Sequence, residues 1–176
     1  MILQDNLIIL RAPEPCDIGF LYRLENDTSL WPVSSNIEPY SKIQLEKYIE
    51  ESSHDLLFSR QVRFIICRKA DSVAVGTADL TDIDMLHKRA EIGLAIQKEH
   101  QGNGYSSHAL DLLEEYSKKF LRLHELHSII LRSNIVCTNL FVSHNYTEAG
   151  ILKDWVWTCD TYSDAVFFQK ILKKNQ

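Results

Sequence analysis

Residues Ala90-Glu91-Ile92-Gly93-Leu94-Ala95-Ile96 lead through a short polar link into Gln101-Gly102-Asn103-Gly104-Tyr105-Ser106. The first segment reads as a strand. Its period of two sets Ile92, Leu94 and Ile96 on one face and Glu91, Gly93 and Ala95 on the other. The small residues of that second face leave open volume beside the sheet, and a carboxylate borders it. The second segment enters a helix at 105–120. Ala109, Leu112, Leu113, Tyr116 and Phe120 form its apolar stripe, with Asp111, Glu114, Glu115, Lys118 and Lys119 mostly outside it. Gly102 and Gly104 permit positive φ and close backbone approach. The N–H groups at the helix start, helped by the helix dipole, make an anion site suited to a diphosphate. The Lys-Ser/Thr of a P-loop is missing, so a nucleoside triphosphate with magnesium is not indicated. The third glycine of a dinucleotide fingerprint and its early βαβ context are missing too. On its own, Gly-x-Gly before a helix is equally an ordinary tight turn.

Upstream, a short apolar strand at 7–10 ends at Arg11 before Pro13 and Pro15. Asp17 is expected to cap a helix to about Glu25 that buries Ile18, Leu21 and Leu24. Residues 26–39, interrupted by Pro32 and Pro39, read as a loop. Ser41 is expected to cap a second helix carrying Leu45, Tyr48 and Ile49. Strands at 62–67 and 73–80, joined by polar residues, form a hairpin signal, with 82–88 as a second turn. Downstream, 127–131 is a strand, 134–144 a short helix, and 150–158 and 165–171 a final hairpin. The predicted fold is α/β: one domain over residues 1–176, with a mixed, mostly antiparallel sheet of six to seven strands flanked by about four helices.

Composition narrows the function class. At 176 residues, 45% hydrophobic and 24% charged, the chain is long enough and apolar enough for one packed core. A net charge of −5 argues against a nucleic-acid binder. It suits a cationic substrate, and equally suits plain solubility. No apolar run approaches the ~20 residues of a membrane span. Cys16, Cys67, Cys137 and Cys159 form no Cys-x-x-Cys pair, so neither a zinc knuckle nor a redox motif is expected, and the dispersed thiols suit a cytoplasmic location. His124 and His127 stand three apart, but no further ligand completes a metal set, and no metal is expected.

The loop resembles the pyrophosphate motif of the GNAT superfamily, Arg/Gln-x-x-Gly-x-Gly/Ala, with Gln101 and Gly104 matching and Ser106 in the last place. Asn134-Ile135-Val136-Cys137-Thr138-Asn139-Leu140-Phe141 resembles the family's Asn-x-x-Ser-x-x-Leu-Tyr/Phe segment, and the Gly-Phe that usually follows stands here as Asn145-Tyr146. Leu10-Arg11-Ala12 with Asp17, Arg89-Ala90-Glu91-Ile92-Gly93, Leu123-His124 and Gly150-Ile151-Leu152-Lys153-Asp154 are similar to the branch of ribosomal-protein-alanine and spermidine N-acetyltransferases. The resemblance implies a single-domain GNAT fold whose parallel strands, 90–97 and 125–133, splay apart around acetyl-CoA. The pantetheine would then pair with Leu94, Ala95 and Ile96, and the diphosphate would sit at Gln101, Gly102, Asn103, Gly104, Tyr105 and Ser106. Asn134 would hydrogen-bond the pantetheine arm, and Phe141 would pack near the thiol.

The implied reaction is direct attack of an amine on the thioester. Glu91 is the expected base, acting directly or through water; the competing reading is a salt bridge to Arg89, Lys88 or another arginine. An N–H near Leu94 or Ala95 is the expected oxyanion donor. Many family members use a Tyr where Phe141 stands, so the acid for the leaving thiolate is unassigned, with Tyr146, Cys137 or water as substitutes. Trp31, Tyr40, Trp155 and Trp157 either line an amine channel or belong to the core, with Glu25, Asp27, Glu38, Asp82 and Asp84 supplying negative charge. The acceptor is a small-molecule amine such as a polyamine, or a protein N-terminus. A CoA-binding sensor with impaired catalysis and transfer of a longer acyl group are the alternatives, and a homodimer or higher homo-oligomer stays open.

Overall fold

The computed structural model describes residues 3–31, 38–52, 59–158 and 160–172. Cys159 and part of the expected 26–39 loop lie outside the described residues. Strands β1 (Leu3–Gln4), β2 (Ile8–Arg11), β3 (Val62–Arg68), β4 (Ala74–Asp84), β5 (Arg89–Ile96), β6 (Glu125–Leu131), β7 (Thr147–Trp157) and β8 (Tyr162–Ile171) form one sheet. It has eight strands in the order β1-β2-β3-β4-β5-β6-β8-β7. Helices α1 (Ile18–Glu25), α2 (Lys42–Ser52), α3 (Tyr105–Lys119) and α4 (Ile135–Ser143) cover it. None of the described helices is long and apolar enough to cross a membrane.

Strand alternation divides the apolar residues into two cores. Phe64, Ile66, Ala78, Leu80, Ile92 and Ile96 pack with Ala109, Leu110 and Leu113 of α3 and with Phe141 of α4. Ile65 and Cys67 pack on the opposite face with Phe20, Leu21 and Leu24 of α1 and Leu45 and Ile49 of α2. Ser41 caps α2 as expected: its Oγ accepts from Gln44 N at 3.2 Å, and Gln44 Oε1 accepts from Ser41 N at 2.7 Å.

Every pairing is antiparallel except β5 with β6, which α3 connects. Their parallel register runs Arg89↔Glu125, Ala90↔Leu126, Glu91↔His127, and there it stops. From 92 to 96 the edge of β5 that faces β6 has no strand partner. β4 continues to hold the other edge, through Gly76↔Ile96.

Several expectations are corrected. The sheet has eight strands rather than six to seven, because the N-terminus folds back as β1 on β2. β4 continues through the expected turn at 82–88 as far as Asp84. Asp82 takes φ 47°, which absorbs one irregularity and lets pairing resume at Asp84↔Arg89. α3 ends at Lys119; Phe120 is exposed and Leu110 is fully buried in its place. β7 and β8 begin earlier than the apolar runs at 150–158 and 165–171 suggest.

Asp17 makes no capping bond to α1. Instead Arg11 Nη1 and Nη2 donate to its two carboxylate oxygens at 2.6 and 2.7 Å, and it accepts from Glu14 N at 2.8 Å. Burial opposes its ionisation, but Arg11 and then the Glu14 N–H outweigh this and hold it below the usual carboxylate range. A depressed carboxyl stabilises the fold above its unfolded pKa, and that contribution is lost as pH falls through the lower folded value. Asp17→Asn should therefore cost about 2 kcal/mol at neutral pH. In urea unfolding at about pH 2, the variant and the wild type should converge.

Candidate functional site

The loop after β5 is shaped by its own side chains. Gln101 Nε2 donates to the Ile96 carbonyl at 3.1 Å, tying the loop to the strand end. Asn103 Nδ2 bridges the carbonyls of His100 and Gln101 at 3.0 and 3.2 Å. Gly102 and Gly104 have φ 78° and 81°, in the left-handed region. A Cβ at Gly102 would meet nothing within 4 Å, so φ and outside approach, rather than packing, select glycine there. The amides of Gly102, Asn103, Gly104, Tyr105 and Ser106 have no hydrogen-bond partner among the described residues. They precede a long helix with no acidic residue in its first turn. A diphosphate fits this cradle on both geometry and charge.

The unpaired edge of β5 lies beside the loop. Leu94, Ala95 and Ile96, expected to meet a pantetheine, all lie in this stretch. Asn134 opens α4, where its Oδ1 accepts from Cys137 N at 3.1 Å. A cleft of about 630 Å³ on the α1–α2 side of the sheet reaches β5 and is lined by its residues Glu91, Ile92, Gly93, Leu94 and Ala95.

The cleft floor is built by cross-strand neighbours. Thr77 faces Ala95, Asp79 faces Gly93 and Thr81 faces Glu91. Tyr40, Tyr48 and Gln61 line the walls together with Glu25, Arg63 and Asp82. Arg63 donates through Nε and Nη2 to Asp79 at 2.7 and 3.1 Å and through Nη1 to Glu25 at 2.5 Å. Its guanidinium also lies 5.5 Å from the Tyr48 ring centre. Burial disfavours the Arg63 charge, yet Asp79, then Tyr48 and Glu25, outweigh it and raise its pKa. One cation thus holds together carboxylates from α1 and β4, and the lining stays acidic.

Glu91 lies at the last paired rung of β5. Arg89, its proposed salt-bridge partner, reaches Asp84 instead at 3.4 Å, and Glu91 makes no ion pair among the described residues. Burial lifts its pKa, opposed by His127 and the Ile129 N–H, while Asp82 adds to the rise. A half-buried carboxylate of raised pKa facing a cleft can accept a proton from a bound amine.

The other candidates separate. Phe141 is 1% exposed and meets Tyr146 edge-on at 4.8 Å. Burial, then Glu114, raises the Tyr146 phenol far above its ordinary range, so it keeps its proton inside the core. Asn145 takes φ 64°, the left-handed turn for which the family motif carries glycine, and asparagine tolerates it. Burial pushes the Cys137 thiol up to about 11, which removes it as a nucleophile. Among the described residues no group of His, Cys, Asp and Glu is arranged to hold a metal ion.

On the acceptor side, Glu25, Tyr40 and Asp82 line the cleft as expected. Trp155 and Trp157 do not: they stand exposed on edge strand β7, which β6 and β8 separate from β5. Trp31 donates its Nε1 to the Glu25 carbonyl at 2.9 Å. Asp84 caps the turn at Leu86 and His87, and Asp27 caps the backbone at Ser29. Sequence reasoning missed Arg63 and Thr77, and expected the substrate side at 79–87 as a loop, where Asp79 and Thr81 stand in strand β4 instead. Their signal was the polar alternation Thr77-x-Asp79-x-Thr81 within an otherwise apolar strand.

Known proteins share this fold. The model of the acetyltransferase (GNAT) domain family matches residues 8–141. The spermidine N(1)-acetyltransferase of Vibrio cholerae is 27% identical over 162 residues, covering 92% of this chain and 91% of that protein. A crystal structure of the Vibrio cholerae spermidine N-acetyltransferase in complex with CoA and spermine superposes with TM-score 0.86. It covers 96% of this chain and 97% of that one at 24% identity, and so supports the fold. A dodecameric structure of that enzyme in an intermediate state gives TM-score 0.81 at 26% identity, covering 96% and 95%. With most of its length matched by the family model, this chain belongs to the GNAT acetyltransferase family.

Proposed function

We propose that the protein acetylates a primary amine of a polyamine-like cation, drawing the acetyl group from acetyl-CoA. The observation that carries this reading is the cleft beside the unpaired part of β5: Glu25, Asp79, Asp82 and Glu91 line it, with Arg63 the one arginine among its lining residues. The similarity to spermidine N(1)-acetyltransferases supports the same acceptor class. A protein N-terminus fits less well, because it presents one ammonium rather than several to this acidic lining.

Acetyl-CoA supplies an activated thioester and a thiol of low enough pKa to leave as thiolate. The free amides from Gly102 to Ser106 would hold its diphosphate. Leu94, Ala95 and Ile96 would pair with the pantetheine along their unpaired edge, with an N–H near Leu94 or Ala95 facing the reacting carbonyl oxygen. Asn134 would add a hydrogen bond to the pantetheine arm, and Phe141 supports that end of the site by packing. The acidic lining gathers the cation, and Glu91 takes a proton from the ammonium so that a neutral amine can attack. Phe141 has no proton to give, so the thiolate is protonated from elsewhere. Homo-oligomeric assembly belongs to the same reading: the Vibrio relative is dodecameric, and this chain leaves Trp155, Trp157 and Tyr162 exposed along β7 and β8.

A CoA-release assay over polyamines, monoamines and N-terminal peptides should show turnover preferring polyamines. Tight acetyl-CoA binding without turnover on any amine would return the chain to a CoA-binding module. Glu91→Gln should lower kcat/KM by about 100-fold. The base acts as carboxylate, so wild-type activity should fall as pH drops through its raised pKa; the variant should lose that ionisation from its pH profile, and unchanged kinetics would reject the role. Gly104→Glu combines a disfavoured positive φ with a charge facing the diphosphate. Calorimetry should show CoA binding weakened by about two orders of magnitude, with thermal unfolding confirming an intact fold.

A further inference from the structure

The proton balance of this reaction asks for more than one acceptor. An ammonium must lose two protons to become an amide N–H. One ends on the thiolate sulfur and the other leaves to solvent. Glu91 carries one proton at a time, Phe141 carries none, and the Tyr146 and Cys137 protons are locked in place by burial. The group that stands next to Glu91 is His127.

His127 is the parallel-strand neighbour of Glu91 at the last rung before β5 and β6 part. Neighbouring strands lie about 4.8 Å apart, which brings cross-strand side chains of one face together. The imidazole is fixed on two sides. Its ring stacks on Phe167 at 4.9 Å between centroids with an interplanar angle of 20°. Its Nδ1 lies 3.1 Å from Glu125 Oε1. A carboxylate can only accept, so Nδ1 directs its hydrogen at Glu125, and Nε2 is the nitrogen left to exchange a proton. No described residue hydrogen-bonds Nε2. The side chains of His127 and Glu125 are 14% and 9% exposed, which leaves the ring a narrow route to water. The charged groups around it are Glu125 on its own strand, Glu91 and Arg89 on β5, and Asp82, which acts on Glu91 from β4. Its β8 partner Gln169 and the stacked Phe167 do not titrate.

We infer that His127 is the positioning and relay residue behind Glu91: Nε2 takes the proton that Glu91 removes from the ammonium, directly or through one water. Glu125 stabilises the resulting imidazolium through Nδ1. The imidazolium then releases the proton to solvent, or back through Glu91 toward the thiolate, and each cycle restores the neutral ring. No bond other than N–H and O–H changes in the relay. The inference rests on Glu91 being the base.

His127→Phe keeps a ring to stack on Phe167 and removes both nitrogens, whereas His127→Gln keeps a donor toward Glu125 and cannot titrate. Both should lower kcat by about 10- to 100-fold, with the KM for acetyl-CoA unchanged. The acid limb of log kcat/KM against pH, which in the wild type reports two ionisations, should fall from a slope near two to a slope near one. If either folded variant keeps the wild-type slope and a kcat within about twofold, the relay is wrong. Glu91→Gln, run alongside, separates the two failures. Normal activity there defeats the base assignment itself, while a crippled Glu91→Gln beside a normal His127 variant defeats only the relay.

Discussion

The parting of β5 from β6 after the Glu91–His127 rung is the constraint on which the site depends. A parallel pair normally continues, because an unpaired backbone edge costs free energy unless water or a ligand satisfies it. Here β4 and β8 hold the outer edges of the two strands while their inner edges diverge. The gap is therefore sustained by the sheet on both sides rather than by a loop. It provides an edge that an extended ligand can pair with, beside the cleft that Glu91, Gly93 and Ala95 line.

The two faces take different tasks. On one, α3 brings its N-terminus and the free amides of the Gln101–Ser106 loop to the strand end, where Gln101 anchors them to Ile96. On the other, α1 and α2 leave the ladder of β3, β4 and β5 partly uncovered, and its floor residues are polar. Arg63 ties α1 to that floor through Glu25 and Asp79, so the cleft wall is held by charge as well as by the apolar contacts of Leu24 and Leu45. The acidic balance and the reach of the gap meet at Glu91.

The departures from the family motif have physical explanations. Asn145 occupies a left-handed turn, which asparagine tolerates. Cys137 is a half-buried small residue whose N–H is capped by Asn134. Phe141 and Tyr146 pack against each other in the core, so the hydroxyl that this chain does have near α4 is directed into the protein and away from proton transfer. The proposed acid–base work therefore falls to the polar side of the gap, where Glu91, His127 and Glu125 follow one another.

Much of this was legible in the sequence. The alternation in 90–96, the glycines before an amphipathic helix and the Asn134–Phe141 segment carried the fold class and the loop proposed to hold the diphosphate, because strand period, positive φ and helix start are local properties. Local signals misled where tertiary contacts take over: Asp17 reads as a cap and is an ion-pair partner of Arg11, and 82–88 reads as a turn although Asp82 only bends a longer strand. The acceptor side was the least legible. Arg63, Asp79, Thr81 and Glu91 come from three strands and become one surface only through register, and whether Glu91 is spent in a salt bridge depends on where Arg89 turns. Sequence by itself determined most of the strands and helices and the glycine turn that opens α3. Only the tertiary structure decided that β5 and β6 separate, that Glu91 is left without an ion pair at their last rung, and that His127 stands beside it, because strand pairing and side-chain burial are set by contacts distant in the chain.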